Sequence, residues 1–332
     1  MRGRMIALAL ALLTLAFPAR ALTLTWNEVN DETYGATVGA RVFADTLYAL
    51  SGGEMEIDLY TDGALGFEME SMQGLQMGVL DIFRGNASTL GDYGAELIGA
   101  TGLPYLFKSM EDFEAMAESP LGQELLDSVE AADCGFIALS WLVEGPRNMF
   151  ITERTYEELG RPEAITLDMM RDLNIRVPGT RMLIDTVGAL GSAPIEVAYS
   201  EMLPALKSGN IDGAETGVIP YLSQGFYQAA PYYIDDAHIF GCGVVLVSSA
   251  AWESLTDQQK DWMREAGEAA RDACYAHNLR EQDAYYEQFP QKGVTVLPVA
   301  DIEAWQDACD PIYESQSPAV QDVIHRIRAR EY

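Results

Sequence analysis

The chain has 332 residues, 48% of them hydrophobic, and carries 51 acidic against 21 basic side chains for a formal net charge of −30. A field of that sign disfavours nucleic acid and anionic lipid surfaces as partners, and it suits a solvated surface in a medium where salt screens charge. The apolar content supports one large or two medium cores.

The first residues read as a leader. Arg2 and Arg4 form a basic start, Met5–Phe17 is an apolar run, and Ala19-Arg20-Ala21 is an A-x-A site. The run is shorter than the ~20 residues a membrane span needs. A secretory signal peptide over 1–21, cleaved after Ala21, is therefore expected, with the mature chain in the periplasm. Loss of Arg2, Arg4 and Arg20 takes the charge from −30 to −33. The four cysteines, Cys134, Cys242, Cys274 and Cys309, have no C-x-x-C spacing. Export permits disulfides. A Cys274–Cys309 pair on consecutive helical patterns and four free buried thiols both remain open.

In chain order, Leu22–Trp26 alternates like a strand, Thr33–Leu50 is helical, and Met55–Tyr60 is a second strand. Glu68–Met77 reads as a helix closed by Gly78, and Leu80–Phe83 as a short strand. Phe136–Leu142 is a strand, and Gly145-Pro146 is expected to turn the chain. The grammar then repeats. Strands are predicted at Asn174–Val177, Ala193–Val197 and Ile211–Ala214, with helices at Arg181–Ala189 and Ser200–Ser208. An apolar strand at Gly243–Ser248 and a long helix over Leu255–Gln288, starting near "SLTDQQ", follow.

Two segments share a local pattern. "GLQMGVLDIFR" places Gly78, Asp81 and Arg84 three residues apart, and "ALKSGNIDGAE" does the same with Gly209, Asp212 and Glu215. With the repeated β-α-β order, this predicts an α/β protein of two doubly wound lobes, joined by crossing strands and a long helix. The expected division is 22–144 plus 233–273 for lobe I and 145–232 plus 274–332 for lobe II. Each lobe is expected to have its own core.

No G-x-S-x-G, P-loop, G-x-G-x-x-G or H-E-x-x-H signature is present, and no cofactor or metal ligand set is read from the sequence. His238, His277 and His325 are far apart, and His238 reads as a core or hinge residue. The unusual feature is "NIRVPGT", where Arg176 sits between Ile175 and Val177 at the carboxyl end of a buried strand. Ligands of open α/β sheets bind at such ends. A buried guanidinium needs either an acidic side chain or a ligand anion, and its planar fork matches a carboxylate. Arg84 and Asn86 in "DIFRGNAS" and Glu215 and Thr216 in "DGAETG" lie at similar ends. For Arg84, an ion pair and a ligand contact remain equal alternatives.

The segments "GALGFEMESMQGLQMGVLDI", "GLPYLF", "EGPRNMF", "NIRVPGT", "ALGSAPIEVAYSEMLPALKSGNIDGAET" and "FYQAAPYY" together resemble the solute-binding proteins of tripartite ATP-independent periplasmic (TRAP) transporters, of the dicarboxylate-binding (DctP) type. The resemblance implies two lobes that close on a small organic acid and then dock on a membrane permease, without catalysis or cofactor; a monomer is expected. It implies that Arg176 clamps the carboxylate, that Arg147 matches a second arginine after the lobe crossing, and that Glu215 matches the glutamate of a "DG-x-E" motif. Asn27 matches an early-strand asparagine and Tyr199 the aromatic before the "SE" helix. The pattern departs at Ala214 and Thr216. Asn86 and Thr89 stand where sialic-acid binders carry Glu and Arg, which argues against sialic acid. The Arg84-x-Asn86 arrangement points instead to a hydroxylated or sugar acid. The alternatives are an exported two-lobed enzyme acting on a small carboxylate, which would turn its ligand over, and a surface interaction module, which no small molecule would stabilise.

Overall fold

The computed structural model describes residues 21–331; apart from Ala21 the expected leader lies outside the described residues. Ten strands form one continuous curled sheet: β1 Leu22–Asn27, β2 Met55–Tyr60, β3 Ile82–Asn86, β4 Phe136–Ile151, β5 Asn174–Val177, β6 Ala193–Glu196, β7 Gly213–Gly217, β8 Tyr232–Asp235, β9 Ile239–Ser248 and β10 Thr295–Pro298. The order is β2-β1-β3-β9-β4-β7-β5-β6, with β8 pairing β4 and β10. Parallel β1, β2 and β3 form the first lobe and parallel β5, β6 and β7 the second. Antiparallel β4 and β9 run through both. This is the two-lobed α/β architecture expected.

Gly145-Pro146 does not turn the chain. Instead β4 runs on for 16 residues to Ile151, and its register against β9 shifts between Val143 and Gly145. Gly145 adopts φ +113, open to glycine, so the strand absorbs an irregularity at the crossing instead of ending there.

The repeated Gly-x-x-Asp pattern has a structural basis. Gly78 and Gly209 take left-handed conformations after their helices. Asp81 Oδ2 accepts the Thr25 N–H on β1 at 2.8 Å, and Asp212 Oδ2 accepts the Asn174 N–H on β5 at 2.8 Å. Each aspartate stands just before its strand, β3 or β7, and ties it to the neighbouring parallel strand, at Thr25 within β1 and at Asn174, the first residue of β5. The registers then coincide: Asn27 lies opposite Phe83 in the first lobe as Arg176 lies opposite Ala214 in the second.

The long helix Asp257–Tyr286 starts at a reciprocal cap, Thr256 Oγ1 accepting the Gln259 N–H and Gln259 Oε1 the Thr256 N–H. It crosses helix Gly35–Leu50 so closely that a Cβ on Gly39 would lie 2.8 Å from the Ala270 carbonyl oxygen. Small residues let the two helices meet.

Buried side chains alternate along the strands. Phe83, Trp141 and Val143 belong to one core, Ile82, Leu142 and Val245 to the other, and each core continues into both lobes. The cores therefore follow the two faces of the sheet and not the two lobes. All four cysteines are buried and free. Cys274 and Cys309 lie in opposite cores, which prevents the pairing considered above. The last helix is Pro318–Ala329. Its Arg326 pairs with Glu124 at 2.8 Å, and Arg330 just beyond it pairs with Asp112 at 2.8 Å, both on helices beside the first lobe. Among the described residues no helix is long and apolar enough to cross a membrane.

Candidate functional site

A cavity of about 360 Å³ opens between the lobes, where the strand ends converge. Its walls include Arg84, Asn86, Glu68 and Glu144 from one side and Arg176, Arg147, Tyr199 and Thr216 from the other. The lobes touch across it. Thr89 Oγ1 lies 3.2 Å from Thr180 Oγ1, the Arg181 N–H donates to Asp92 Oδ2 at 3.1 Å, and the Phe67 and Tyr199 rings are 6.3 Å apart.

Arg176 is 3% exposed. Its Nε donates to the Val197 carbonyl at 2.8 Å, and its guanidinium lies 5.9 Å from the centre of the Tyr199 ring. Among the described residues it is the one buried arginine with no carboxylate partner. Its terminal amino groups have no hydrogen-bond partner there. Burial pushes its pKa down to about 10; Glu215 opposes this and Arg147 adds to it. The group remains a cation at neutral pH, and a ligand anion would relieve the cost of burying it.

Arg147 is differently placed. Its Nε and Nη2 form a two-pronged fork on Glu215 at 2.7 and 2.8 Å, strand β4 to strand β7. Behind Glu215 lies His238, its Nε2 3.6 Å from Glu215 Oε2, a charge contact longer than a hydrogen bond. His238 Nδ1 lies 2.8 Å from Asp236 Oδ2, whose other oxygen accepts the Met149 N–H at 2.9 Å. Burial would raise the Glu215 pKa, but Arg147 and His238 outweigh it and hold the carboxylate ionised. Burial likewise opposes the His238 charge, but Asp236 and Glu215 raise its pKa to about 9. His238 is thus a charged core residue beneath the site. It makes no contact with the cavity wall's free groups.

On the opposite wall Arg84 is fully engaged. It reaches Glu28 Oε1 at 3.1 Å, Glu144 Oε1 at 3.4 Å and Asn86 Oδ1 at 2.9 Å. Gly243 makes room for this cluster, since a Cβ there would meet Arg84 Cδ at 2.5 Å and Glu144 Oε1 at 2.9 Å. The Tyr34 hydroxyl donates to Glu144 Oε2 at 2.7 Å. Asn86 gives its backbone N–H to Glu68 Oε1 at 2.9 Å and its side-chain amide to Glu68 Oε2. Burial raises the Glu68 pKa, with Arg84 opposing.

The structure therefore brings Arg176, Arg147, Arg84, Asn86, Tyr199 and Thr216 to one cavity, with Glu215 behind Arg147. Thr216 on β7 is 3% exposed. The Tyr199 hydroxyl is buried without a partner, and burial raises its pKa to about 12. Asn27 is not brought there. It is buried, and its amide donates to the Gly66 carbonyl at 2.8 Å and Ser71 Oγ at 2.7 Å while its oxygen accepts the Leu65 N–H at 3.3 Å. Sequence reasoning missed Glu28, Glu68 and Glu144. Glu144 carried the signal that marked Arg176, a charge inside an apolar strand, in "WLVEGP".

Residues 27–318 match the family model described as bacterial extracellular solute-binding protein, family 7 (DctP). A solute-binding protein of Chromohalobacter salexigens is 26% identical over 314 residues, 91% of this chain and 88% of its own length. The crystal structure of a TRAP periplasmic solute binding protein from Pseudomonas putida F1 with bound D-glucuronate superposes with a TM-score of 0.86 at 24% identity, covering 93% of this chain and 97% of that one. Another from Chromohalobacter salexigens, also with bound D-glucuronate, superposes with a TM-score of 0.84 at 25% identity, covering 92% and 99%.

Proposed function

The chain belongs to the DctP family of TRAP-transporter solute-binding proteins, and on that premise we propose that it is a periplasmic receptor whose Arg176 takes the carboxylate of a small organic acid. The observation that carries this reading is the buried Arg176 fork, unpaired among the described residues and lining the cavity between the lobes. Its planar donors match a carboxylate with two parallel bonds. Arg147, held by Glu215, adds a second cation beside it. The strongly negative net charge gives no long-range attraction for an anion, so these short-range contacts provide the affinity.

Closure follows from contacts made by both lobes, because only a differential contact shifts an open–closed equilibrium. Thr89–Thr180 and Asp92–Arg181 are such contacts. The closed receptor would then deliver its ligand, chemically unchanged, to the permease. Sugar acids are the first class to test, since two structural neighbours hold D-glucuronate. Melting temperatures across a library of organic acids should rise with one chemical class of carboxylate, because only the folded state binds. Mass spectrometry of the recovered ligand should show no turnover. An unchanged melting temperature across all carboxylates would contradict the receptor reading, and a converted ligand would favour an enzyme.

A further inference from the structure

The two walls of the cavity differ in charge and in what they offer a ligand. Around Arg176 and Arg147 the second lobe offers N–H donors, the paired Glu215 carboxylate behind Arg147, and the exposed Glu196 at the cavity wall. The first lobe holds three carboxylates, Glu28, Glu68 and Glu144, against one guanidinium, Arg84. Every side of that guanidinium is engaged, by Glu28, by Glu144 and by Asn86. Asn86, the other polar donor there, gives its backbone N–H and one amide N–H to Glu68. Glu144 Oε1 is buried and accepts no hydrogen bond. A ligand reaching this wall meets carboxylate oxygens that can accept further bonds beyond those from Asn86 and Tyr34, and no uncommitted cation among the described residues.

Resting on the receptor reading above, we infer that the cleft selects hydroxylated monocarboxylates and rejects dicarboxylates, with Glu68 and Glu144 as the specificity-determining residues. Hydroxyl groups donate to carboxylate oxygens and satisfy them. A second carboxylate in their place brings like charges together in a partly desolvated site, and such juxtaposition discriminates strongly between partners. Burial already disfavours the Glu68 charge, so another anion beside it adds to an existing cost. The same geometry orients the ligand, carboxylate toward Arg176 and hydroxyls toward Glu68.

Calorimetric titration with D-gluconate, D-glucuronate and D-glucarate tests this, because glucarate differs from open-chain gluconate only in a second carboxylate at the far terminus, while glucuronate adds the cyclic form of a monoacid. At least one of the monoacids should bind the wild type at least about tenfold more tightly than glucarate. Glu68→Gln, which keeps an oxygen for Asn86, should narrow that gap severalfold. Should this variant fail to fold, the wild-type ratio decides alone. Glucarate binding as tightly as the monoacids, or a gap that Glu68→Gln leaves unchanged, would overturn the inference while leaving the receptor reading intact. Binding of none of the three, with another carboxylate class raising the melting temperature, would overturn it in the same way. If no carboxylate binds at all, the receptor reading falls too.

Discussion

Asn27 and Arg176 occupy matching places in the two lobes, yet one is structural and the other faces the ligand cavity. Each pairs with the second residue of the neighbouring strand, Phe83 of β3 or Ala214 of β7, and each reaches the loop after its neighbouring edge strand. Asn27 bonds the Gly66 carbonyl after β2, and Arg176 bonds the Val197 carbonyl after β6. The asparagine is short, and the loop with the first turn of the following helix engages its polar atoms. The arginine anchors its loop through Nε alone, so the rest of its fork extends into the cavity. Side-chain length at one repeated position separates a loop anchor from a guanidinium fork open to the cavity. The third members of the repeated pattern, Arg84 and Glu215, have opposite charges, yet each is neutralised within the protein, Arg84 by Glu28 and Glu144, Glu215 by Arg147.

The comparison breaks most visibly at Arg84. Arg84→Ala leaves the buried Glu28 carboxylate without its cation and should cost about 3–5 kcal/mol of folding stability, the range for removing one partner of a buried pair. Urea unfolding measures it; a loss well under ~1 kcal/mol, typical of exposed pairs, would place Arg84 with Arg176 as a ligand group.

A second effect distinguishes the buried charges under the second lobe's wall. His238 has its pKa raised to about 9 from an ordinary 6.5, so its contribution to stability is complete below pH 6.5 and is lost as pH rises through about 9. The loss should approach roughly 3 kcal/mol at most. Urea midpoints followed between about pH 6 and about pH 10 should fall across that window in the wild type. A flat profile would mean that folding does not raise the His238 pKa, and a rising one that His238 is neutral in the folded state.

Asn27→Ala should have a smaller effect, about 1–3 kcal/mol for unsatisfied buried partners. Amide exchange over residues 65–71, the loop and the first turn of the helix after it, should accelerate while affinity for the acid is retained. If the variant instead loses affinity as severely as a cavity residue, the equivalence drawn between loop anchor and clamp does not hold.

Much of this was legible in the sequence. Strands at Met55–Tyr60 and Asn174–Val177 and the helix at Arg181–Ala189 fall where period and punctuation place them. Their signals are local, a two-residue alternation or a turn residue. Arg176 was conspicuous because a charge between Ile175 and Val177 has few explanations. What stayed hidden was pairing. Arg84 and Arg176 both lie on short strands at the edge of a cavity, and only the fold brings Glu28, 56 residues away, against Arg84 while leaving no carboxylate against Arg176. The course of β4 was hidden too, because Gly145-Pro146 is a turn signal that antiparallel pairing with β7 and β9 overrides. The cores followed the sheet faces for a similar reason: crossing strands make the sheet continuous, which no local pattern reports.

The central claim is that Arg176 holds the ligand carboxylate. Calorimetry of Arg176→Ala with the acid that most raises the wild-type melting temperature tests it directly. The account predicts a loss of about 2–5 kcal/mol in binding, roughly thirtyfold to several thousandfold in affinity, with circular dichroism unchanged. An intact fold that binds the acid as tightly as the wild type would contradict it.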